Sequence, residues 1–578
     1  MKSKAGLLVL ILLIAFSGLQ AQINIVSTNP IAERILMGNY NPASYQAGTI
    51  ITRPDSISQG ILKRVSSDSL HAYLDVLRSF QNRNTGADTV SGSKGIGAAR
   101  RWAYSKFAQF STRNDNRLIP SYLQFDLSIC NQGQHRNIYA VLPGTDTSDK
   151  SIVIIEAHID SRCADLCDTA CLAEGMEDNG SGTAMVLELA RVMSAYTYKR
   201  SIVFLLVIGE EQGLYGGNAF ATYATQKQLS IRSVLNNDVI GGIICGQTSS
   251  APSCPGLNNI DSTNVRLFSF GGYSSLHKGL ARFIKLEYKE MIRPFASVPM
   301  TIQIMTPEDR TGRSGDHIPF RQQGFTAVRL TSANENGDAN VTSPSYTVRQ
   351  HTSRDILGVD LNADTILDSF FVDFHYLARN SVINGNALAM SAIGPKTPDF
   401  TATATGPTEL SVQIISGTAY PAYRVGVRSI TYDWDSVYTI NSTSAKLNLP
   451  LGNYILSVAS VDSSGVESLF SLEKTAAVAV KGMSAENSPL ELLQNKPNPF
   501  DEMTMISVVV LQLPSFKDAY IQITEAGSGK ELQRLPIQLK QGINEVAYHH
   551  GYHPSHSLVY TLVVDGKKLQ SKQMVFAN

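Results

Sequence analysis

Along residues 66–390, apolar runs alternate with amphipathic stretches. Leu70, Tyr73, Leu74 and Leu77 recur at helical spacing and predict a helix from Asp68, capped by Ser67 or Asp68. A second helix is predicted over 94–110, after Ser91-Gly-Ser. Strands are predicted at 138–142 and 151–157, the second almost wholly apolar, as a strand covered on both faces should be. The alternation continues with a helix at 182–194, the apolar strand 201–208 and a helix over 217–224. Strands at 233–240 and 327–330 follow, with a last helix near 356–378. This order predicts an α/β three-layer sandwich with a mostly parallel central sheet, whose functional side chains gather beyond the carboxyl ends of the strands.

Residues 22–65 are polar, with Pro30, Pro42 and Pro54 spread through them, and read as an irregular N-terminal extension to the α/β domain spanning 66–390. Past Gly394-Pro-Lys-Thr-Pro398 the helical period disappears, and short alternating strands are predicted at 410–415, 423–429 and 454–461. The run from Tyr454 to Asp462 resembles the strand before the last turn of a fibronectin type III sandwich, with Trp434 available for the core. Residues 395–480 are therefore expected to form such a β-sandwich. A linker ends at Pro489, and 489–578 read as a second small β-rich module. Its pieces are Leu492-Leu-Gln-Asn-Lys-Pro-Asn-Pro-Phe500, Thr504-Met-Ile-Ser-Val, Gly542-Ile-Asn-Glu-Val and Lys572-Gln-Met-Val-Phe. In this order they resemble the C-terminal sorting domain of the type IX secretion system. The resemblance implies the secretion machinery as a partner and passage across the outer membrane of a Gram-negative bacterium. A further adhesive sandwich is the alternative.

The other end of the chain agrees with export. Lys2 and Lys4, the apolar run 7–16 and the small residues Gly18 and Ala21 predict a signal peptide over 1–21, removed before Gln22. The run falls short of the ~20 apolar residues that span a bilayer. No later stretch is apolar enough to do so, which predicts a secreted or surface-held protein with no transmembrane segment. Lys+Arg and Asp+Glu both number 49, and this balance gives no electrostatic reason to expect nucleic acid as a partner. Cys130, Cys163, Cys167, Cys171, Cys245 and Cys254 predict disulfides in an oxidising compartment, with the pairing left open. The Cys163/Cys167/Cys171 run lacks the CxxC pairs of a structural zinc site.

Five segments place metal-competent side chains at or just beyond predicted strands: His158-Ile-Asp160, Glu177-Asp178-Asn-Gly-Ser-Gly182, Gly209-Glu210-Glu211, Asn236-Asn-Asp238 and Gln350-His351. Singly, each has an ordinary explanation: a hydrogen-bonded histidine, a helix cap, solvated glutamates, a turn aspartate. Together they do not, because carboxylates at the ends of buried strands are costly unless paired or metal-bound. The adjacent Glu210 and Glu211 repel each other, and a divalent cation relieves that. Two histidines with several carboxylates suit zinc better than magnesium or calcium. There is no nucleophile elbow in the α/β region, and no phosphate loop or dinucleotide fingerprint.

This set, with Gly-Leu-Tyr-Gly after Glu211-Gln, resembles the bacterial leucyl aminopeptidase family of co-catalytic zinc exopeptidases over residues 66–385. The resemblance implies two Zn2+ per chain and peptide N-termini as substrates. It assigns His158 and Asp238 to one ion, Glu211 and His351 to the other, and Asp178 as the bridge. Glu210 is the implied general base, and Asp160 orients His158 from behind. His317, in Ser314-Gly-Asp-His317, is the rival for the last ligand position, and Asp355 is a second candidate for a supporting carboxylate. A glutaminyl cyclase on the same scaffold is the enzymatic alternative, disfavoured by the peptidase form of the loops and the lack of Trp over 150–390. A carboxypeptidase and a non-catalytic surface binding protein are the other readings.

Overall fold

The computed structural model describes residues 22–246, 254, 256–310, 313–335, 349–405, 409–429, 433–449, 452–478, 490–496, 498–500, 503–510, 513, 515–550 and 557–576. The expected signal peptide and the linker before Pro489 lie outside them.

Nine strands form one sheet: β1 (Ile23–Ser27), β2 (Ile119–Ile129), β3 (Gln132–Leu142), β4 (Ile152–His158), β5 (Ser201–Val207), β6 (Ile231–Asn237), β7 (Asn264–Ser269), β8 (Thr301–Ile304) and β9 (Ala327–Ser332). Their order is β1-β2-β3-β5-β4-β6-β9-β7-β8. The run β5-β4-β6-β9 is parallel, as is β7-β8. The other four of the eight neighbouring pairs are antiparallel, so the sheet is mixed rather than mostly parallel. One of these pairs, β2–β3, has a local cause. Cys130 and Asn131 both take positive φ, 48° and 66°, which closes β2 onto β3 as a tight hairpin. The alternation of buried Leu123, Phe125, Leu127 and Ile129 along β2 was the available signal for that strand.

The N-terminal extension is ordered, contrary to expectation. Pro30, Pro42 and Pro54 each open a helical segment: Pro30–Leu36, Pro42–Tyr45 and Pro54–Arg64. At that position proline loses no hydrogen bond and its fixed φ suits the helix. Asn29 and Asn41 cap the first two through their side chains. Ser66, not Ser67 or Asp68, caps helix Ser67–Ser79, which buries the four expected apolar residues. The last helix runs Phe374–Ile393 rather than 356–378, with the Asp373 side chain accepting from Tyr376 N at 2.7 Å. Before it, the Asp360 carboxylate takes the backbone N–H groups of Asn362, Ala363 and Thr365, holding a turn where a helix was expected.

Helices Ser181–Met193 and Phe374–Ile393 pack on each other and on β4, with Pro54–Arg64 and Ser67–Ser79 against them. Helices Tyr215–Gln226 and His317–Gln322 form another group that reaches β6 and β9. Every residue of β4 and β5 is buried, and one continuous apolar core runs through this region.

Two β-rich regions follow. In the first, strands Asp399–Ala404, Glu409–Ile415 and Ser444–Asn448 make one sheet, and Ser436–Ile440, Ala422–Arg428, Gly452–Val461 and Lys474–Val478 make another. Phe400, Leu410 and Val412 from one sheet share a core with Val425, Leu456 and Val458 from the other. Trp434 lies outside that core. It packs on Phe470 and under the Arg282 guanidinium, against the α/β region. Residues 490–576 form two further sheets around a core of their own.

The first β-rich region is tied to helix Leu276–Glu287 by buried charge. Glu473 accepts from Arg282 Nη2 at 2.7 Å, Arg428 Nε at 2.6 Å and Ser274 N at 2.7 Å. Nearby, Glu287 and Glu467 are both buried, with Arg424 Nε 3.7 Å from Glu467 and Arg424 Nη2 2.6 Å from Glu290. Burial pushes Glu467 up to about 8 against the pull of Arg424, and burial with Glu467 and Glu290 raises Glu287 well above the carboxylate range. Raised carboxyls stabilise the fold fully below their unfolded pKa, and the contribution fades as pH rises through the folded value. Glu467→Gln should therefore raise Tm at pH 8.5 by about 2–4 °C and change little at pH 5. Calorimetry giving the same pH slope for both proteins would contradict this.

Candidate functional site

β4, β5 and β6 lie side by side and parallel, so their carboxyl ends coincide. His158 ends β4, Glu210 and Glu211 follow β5, and Asp238 follows β6. Two further loops close on these ends and bring Asp178 and His351.

The carboxylate of Asp178 faces two histidines at once. Its Oδ1 lies 3.1 Å from His158 Nε2 and its Oδ2 lies 3.0 Å from His351 Nε2. His158 Nε2 is also 3.2 Å from Asp238 Oδ1, and His351 Nε2 is 3.2 Å from Glu211 Oε2. The result is two groups of three ligand atoms, His158/Asp178/Asp238 and Asp178/Glu211/His351, that share Asp178. Burial disfavours charge on the His158 ring, but Glu210, Asp160, Asp178 and Asp238 outweigh it and raise its pKa well above the usual range. The same contest, with Glu211 and Asp178, raises His351. A pocket with this charge favours cations.

Supporting contacts fix the ligand loops. His158 Nδ1 is 3.1 Å from the Asp160 carbonyl and 3.6 Å from its Oδ1. A proton held on Nδ1 leaves the Nε2 lone pair facing Asp178 and Asp238. The Asp160 carboxylate accepts from Glu210 N at 3.4 Å and Glu211 N at 3.2 Å, so it holds the loop after β5 as well. Asp355 accepts from Glu177 N at 2.9 Å and Asp178 N at 3.0 Å, anchoring the Asp178 loop rather than backing a histidine. Asn179, not Asp178, serves the first turn of the next helix, accepting from Gly182 N at 2.9 Å. That leaves the Asp178 carboxylate for the histidines. Arg329, on β9, places Nη2 2.9 Å from Asp238 Oδ2. Arg162 Nε donates to Glu211 Oε2 at 2.8 Å, and its Nη2 lies 2.7 Å from His351 Nδ1. Val239 and His351 take φ of 56° and 55°, a left-handed backbone at the turns that carry Asp238 and His351.

The donor set passes a test of fit for zinc. Two imidazoles and three carboxylates are ligands zinc accepts. Glu211 Oε1 is buried, with no hydrogen-bond partner among the described residues, as a ligand oxygen reserved for a cation would be.

Residues 137–368 match the profile of Peptidase family M28. A probable zinc metalloprotease of Pyricularia oryzae is 30% identical over 455 residues, covering 74% of this chain and 87% of that protein. The chain belongs to peptidase family M28. A probable zinc metalloprotease of Leptosphaeria maculans is 28% identical and covers 72% of this chain and 96% of that one. Among solved structures, the Legionella pneumophila LapA aminopeptidase is similar at 19% identity and a TM-score of 0.42, covering 59% of this chain and 74% of that one. The Porphyromonas gingivalis glutaminyl cyclase is similar at 14% identity and a TM-score of 0.37, covering 56% and 97%. This M28 chain is a zinc metallopeptidase.

The peptidase brings together all seven residues singled out from the sequence: His158, Asp160, Asp178, Glu210, Glu211, Asp238 and His351. His317 is not among them. It is buried, its Nε2 is 3.2 Å from the Glu308 carbonyl, and burial pushes its pKa down to about 4. Arg162 and Arg329 were missed, because an arginine after a strand carries no local mark of the carboxylate it will meet. The cysteines pair as Cys130–Cys167, Cys163–Cys171 and Cys245–Cys254. The first two lock the loop between His158 and Asp178, whose Leu166 carbonyl accepts from Gln212 beside the glutamates. Cys130–Cys167 closes 37 residues, so the Cys130→Ser/Cys167→Ser pair should cost about 3–4 kcal/mol, read by chemical denaturation. An unchanged midpoint would mean that Cys163–Cys171 and the loop's hydrogen bonds to Asn82 and Asn84 hold it without Cys130–Cys167.

Proposed function

We propose that this peptidase is a secreted aminopeptidase that holds two zinc ions. The observation that carries the reading is the Asp178 carboxylate, with one oxygen toward each histidine. His158 and Asp238 would hold one ion, Glu211 and His351 the other, and Asp178 both. Zinc bound there supplies Lewis acidity that polarises a scissile carbonyl and makes a water acidic.

The remaining steps belong to side chains of the chain. Glu210 lines the cavity beside the ligands and is not one of the two ligand groups. Burial raises its carboxyl, with His158 opposing and Asp238 adding to the rise. It takes a proton from the attacking water as the C–O bond forms, and returns it to the departing amine as the C–N bond breaks. Asp160 holds Glu210 and His158 in register through the contacts above.

Export rests on the N-terminal leader pattern and on the C-terminal resemblance to a type IX sorting domain, which point to the medium or the outer surface of a Gram-negative cell. A fibronectin-like role for 395–480 is supported by two sheets sharing one core.

The test is mass spectrometry of free, acetylated and Gln-initiated peptides incubated with the protein. Stepwise loss of residues from free N-termini alone is expected. Loss of ammonia from the Gln peptides alone would assign a cyclase instead.

A further inference from the structure

Helix Gly95–Arg113 packs on β2 and β3, and its Tyr104 stacks on Tyr122 of β2 with ring centroids 4.7 Å apart. Residues four apart on a helix share a face, so Arg100 turns toward the same hairpin. Arg136, on β3, is the charge that Arg100 feels most, and its guanidinium lies 5.8 Å from the centre of the Tyr122 ring. A shallow cavity of about 460 Å³ opens here, lined by Thr89, Arg100, Gln132, Gly133, Gln134 and Arg136. It shares no residue with the cavity beside the metal-ligand groups.

The lining holds two guanidinium groups and no carboxylate. Arg100 is half-buried and has no hydrogen bond or ion pair among the described residues. Arg136, also half-buried, donates from Nε to Gln124 Oε1 at 3.0 Å and from Nη2 to Gln134 Oε1 at 3.4 Å, both neutral amides. The acids close by in the chain are engaged elsewhere. Asp126, opposite Gln134, accepts from Asn24 at 2.7 Å and from Gln134 Nε2 at 3.2 Å. Asp88 accepts from Val90 N and Ser91 N, and the charges it feels are those of Lys94 and Arg101. Burial, with Arg136 and then Arg101 adding to it, lowers the Arg100 guanidinium to about 10. A half-buried cation beside a second cation is unfavourable, and an anion between them relieves both.

We propose that this cavity binds a dianionic oxyanion, a phosphate or sulfate group, held between Arg100 and Arg136. Such a group matches the charge of two guanidiniums and offers enough oxygens for both planar forks. The Thr89 hydroxyl and the Gln132 and Gln134 amides are donors for the remaining oxygens. A carboxylate brings one charge and two oxygens, which leaves one arginine uncompensated. A Cβ added at Gly133 would meet nothing within 4 Å, so the wall is open there and an oxygen esterified to a larger molecule has a way out to solvent. No apolar side chain lines the cavity, so charge supplies the affinity and added salt weakens it.

The experiment is calorimetric titration of inorganic phosphate into the full-length, zinc-loaded protein and its Arg100→Gln and Arg136→Gln variants at matched ionic strength. Phosphate taken by zinc is common to all three proteins and cancels in the comparison. Each variant should weaken one binding step by at least about tenfold, and Arg100→Lys should keep part of the affinity. Inorganic sulfate should follow phosphate, and acetate should bind at least about tenfold more weakly. Methyl phosphate should bind as phosphate does. Its exclusion, with phosphate still bound, would support the site and name the free ion as its source. Phosphate titrations identical in the wild type and both variants would overturn the proposal, as would acetate binding as tightly as phosphate. Should one variant fail to fold, the other decides, since each removes one of the two guanidiniums.

Discussion

Glu210→Gln is expected to lower kcat by about 10²–10⁴-fold while zinc content stays at the wild-type level. The substitution keeps the volume of the side chain and removes its capacity to accept a proton. Glu210 is outside both three-residue ligand groups, whereas its neighbour Glu211 is in one, with Oε2 3.2 Å from His351. The two adjacent glutamates should therefore part in their behaviour. Glu211→Gln should lower zinc content and activity together, and Glu210→Gln should lower activity alone. Metal analysis alongside steady-state kinetics separates them. Zinc lost from Glu210→Gln would reverse the division of labour between the pair.

Asp178→Ala is expected to do more, because both ligand groups lose a member at once. Losing a partner behind a metal ligand costs roughly 10–100-fold in affinity, and a shared ligand should cost more than that at each ion. Asp238→Ala is the control. It touches the His158 group alone, so one ion should weaken and the other should stay. Calorimetric zinc titration of the two variants reads the difference as two weakened steps against one. Equal effects of Asp178→Ala and Asp238→Ala would mean that Asp178 does not bridge.

The centre of the fold was legible because burial on both faces leaves a plain mark in sequence. The almost wholly apolar 151–157 and 201–208 became β4 and β5, and the polar residues at their ends became the candidate site. Less legible were features set by a single backbone choice. The turn at Cys130-Asn131 reverses the chain and sets β3 antiparallel to β2, and Pro30, Pro42 and Pro54 begin helical segments where an irregular extension was expected. The candidate ligands His158, Glu211 and Asp238 were readable because they stand at or just after strand ends, and Asp178 because it opens a glycine-rich turn, whereas His351 has neither mark beside it. Their supports were not. Arg329 reaches Asp238 from β9, and Asp355 reaches the Asp178 loop from 177 positions away. Trp434 was read as available for the sandwich core, yet it packs on Phe470 and under Arg282 at the boundary with the α/β region.

The proposed centre holds two ions on one shared carboxylate, that of Asp178. Zinc counted per chain by plasma mass spectrometry, in the wild type and in Asp178→Ala, tests it most directly. The prediction is two zinc ions in the wild type and fewer than one in the variant. One zinc in the wild type, or two retained without Asp178, would contradict it.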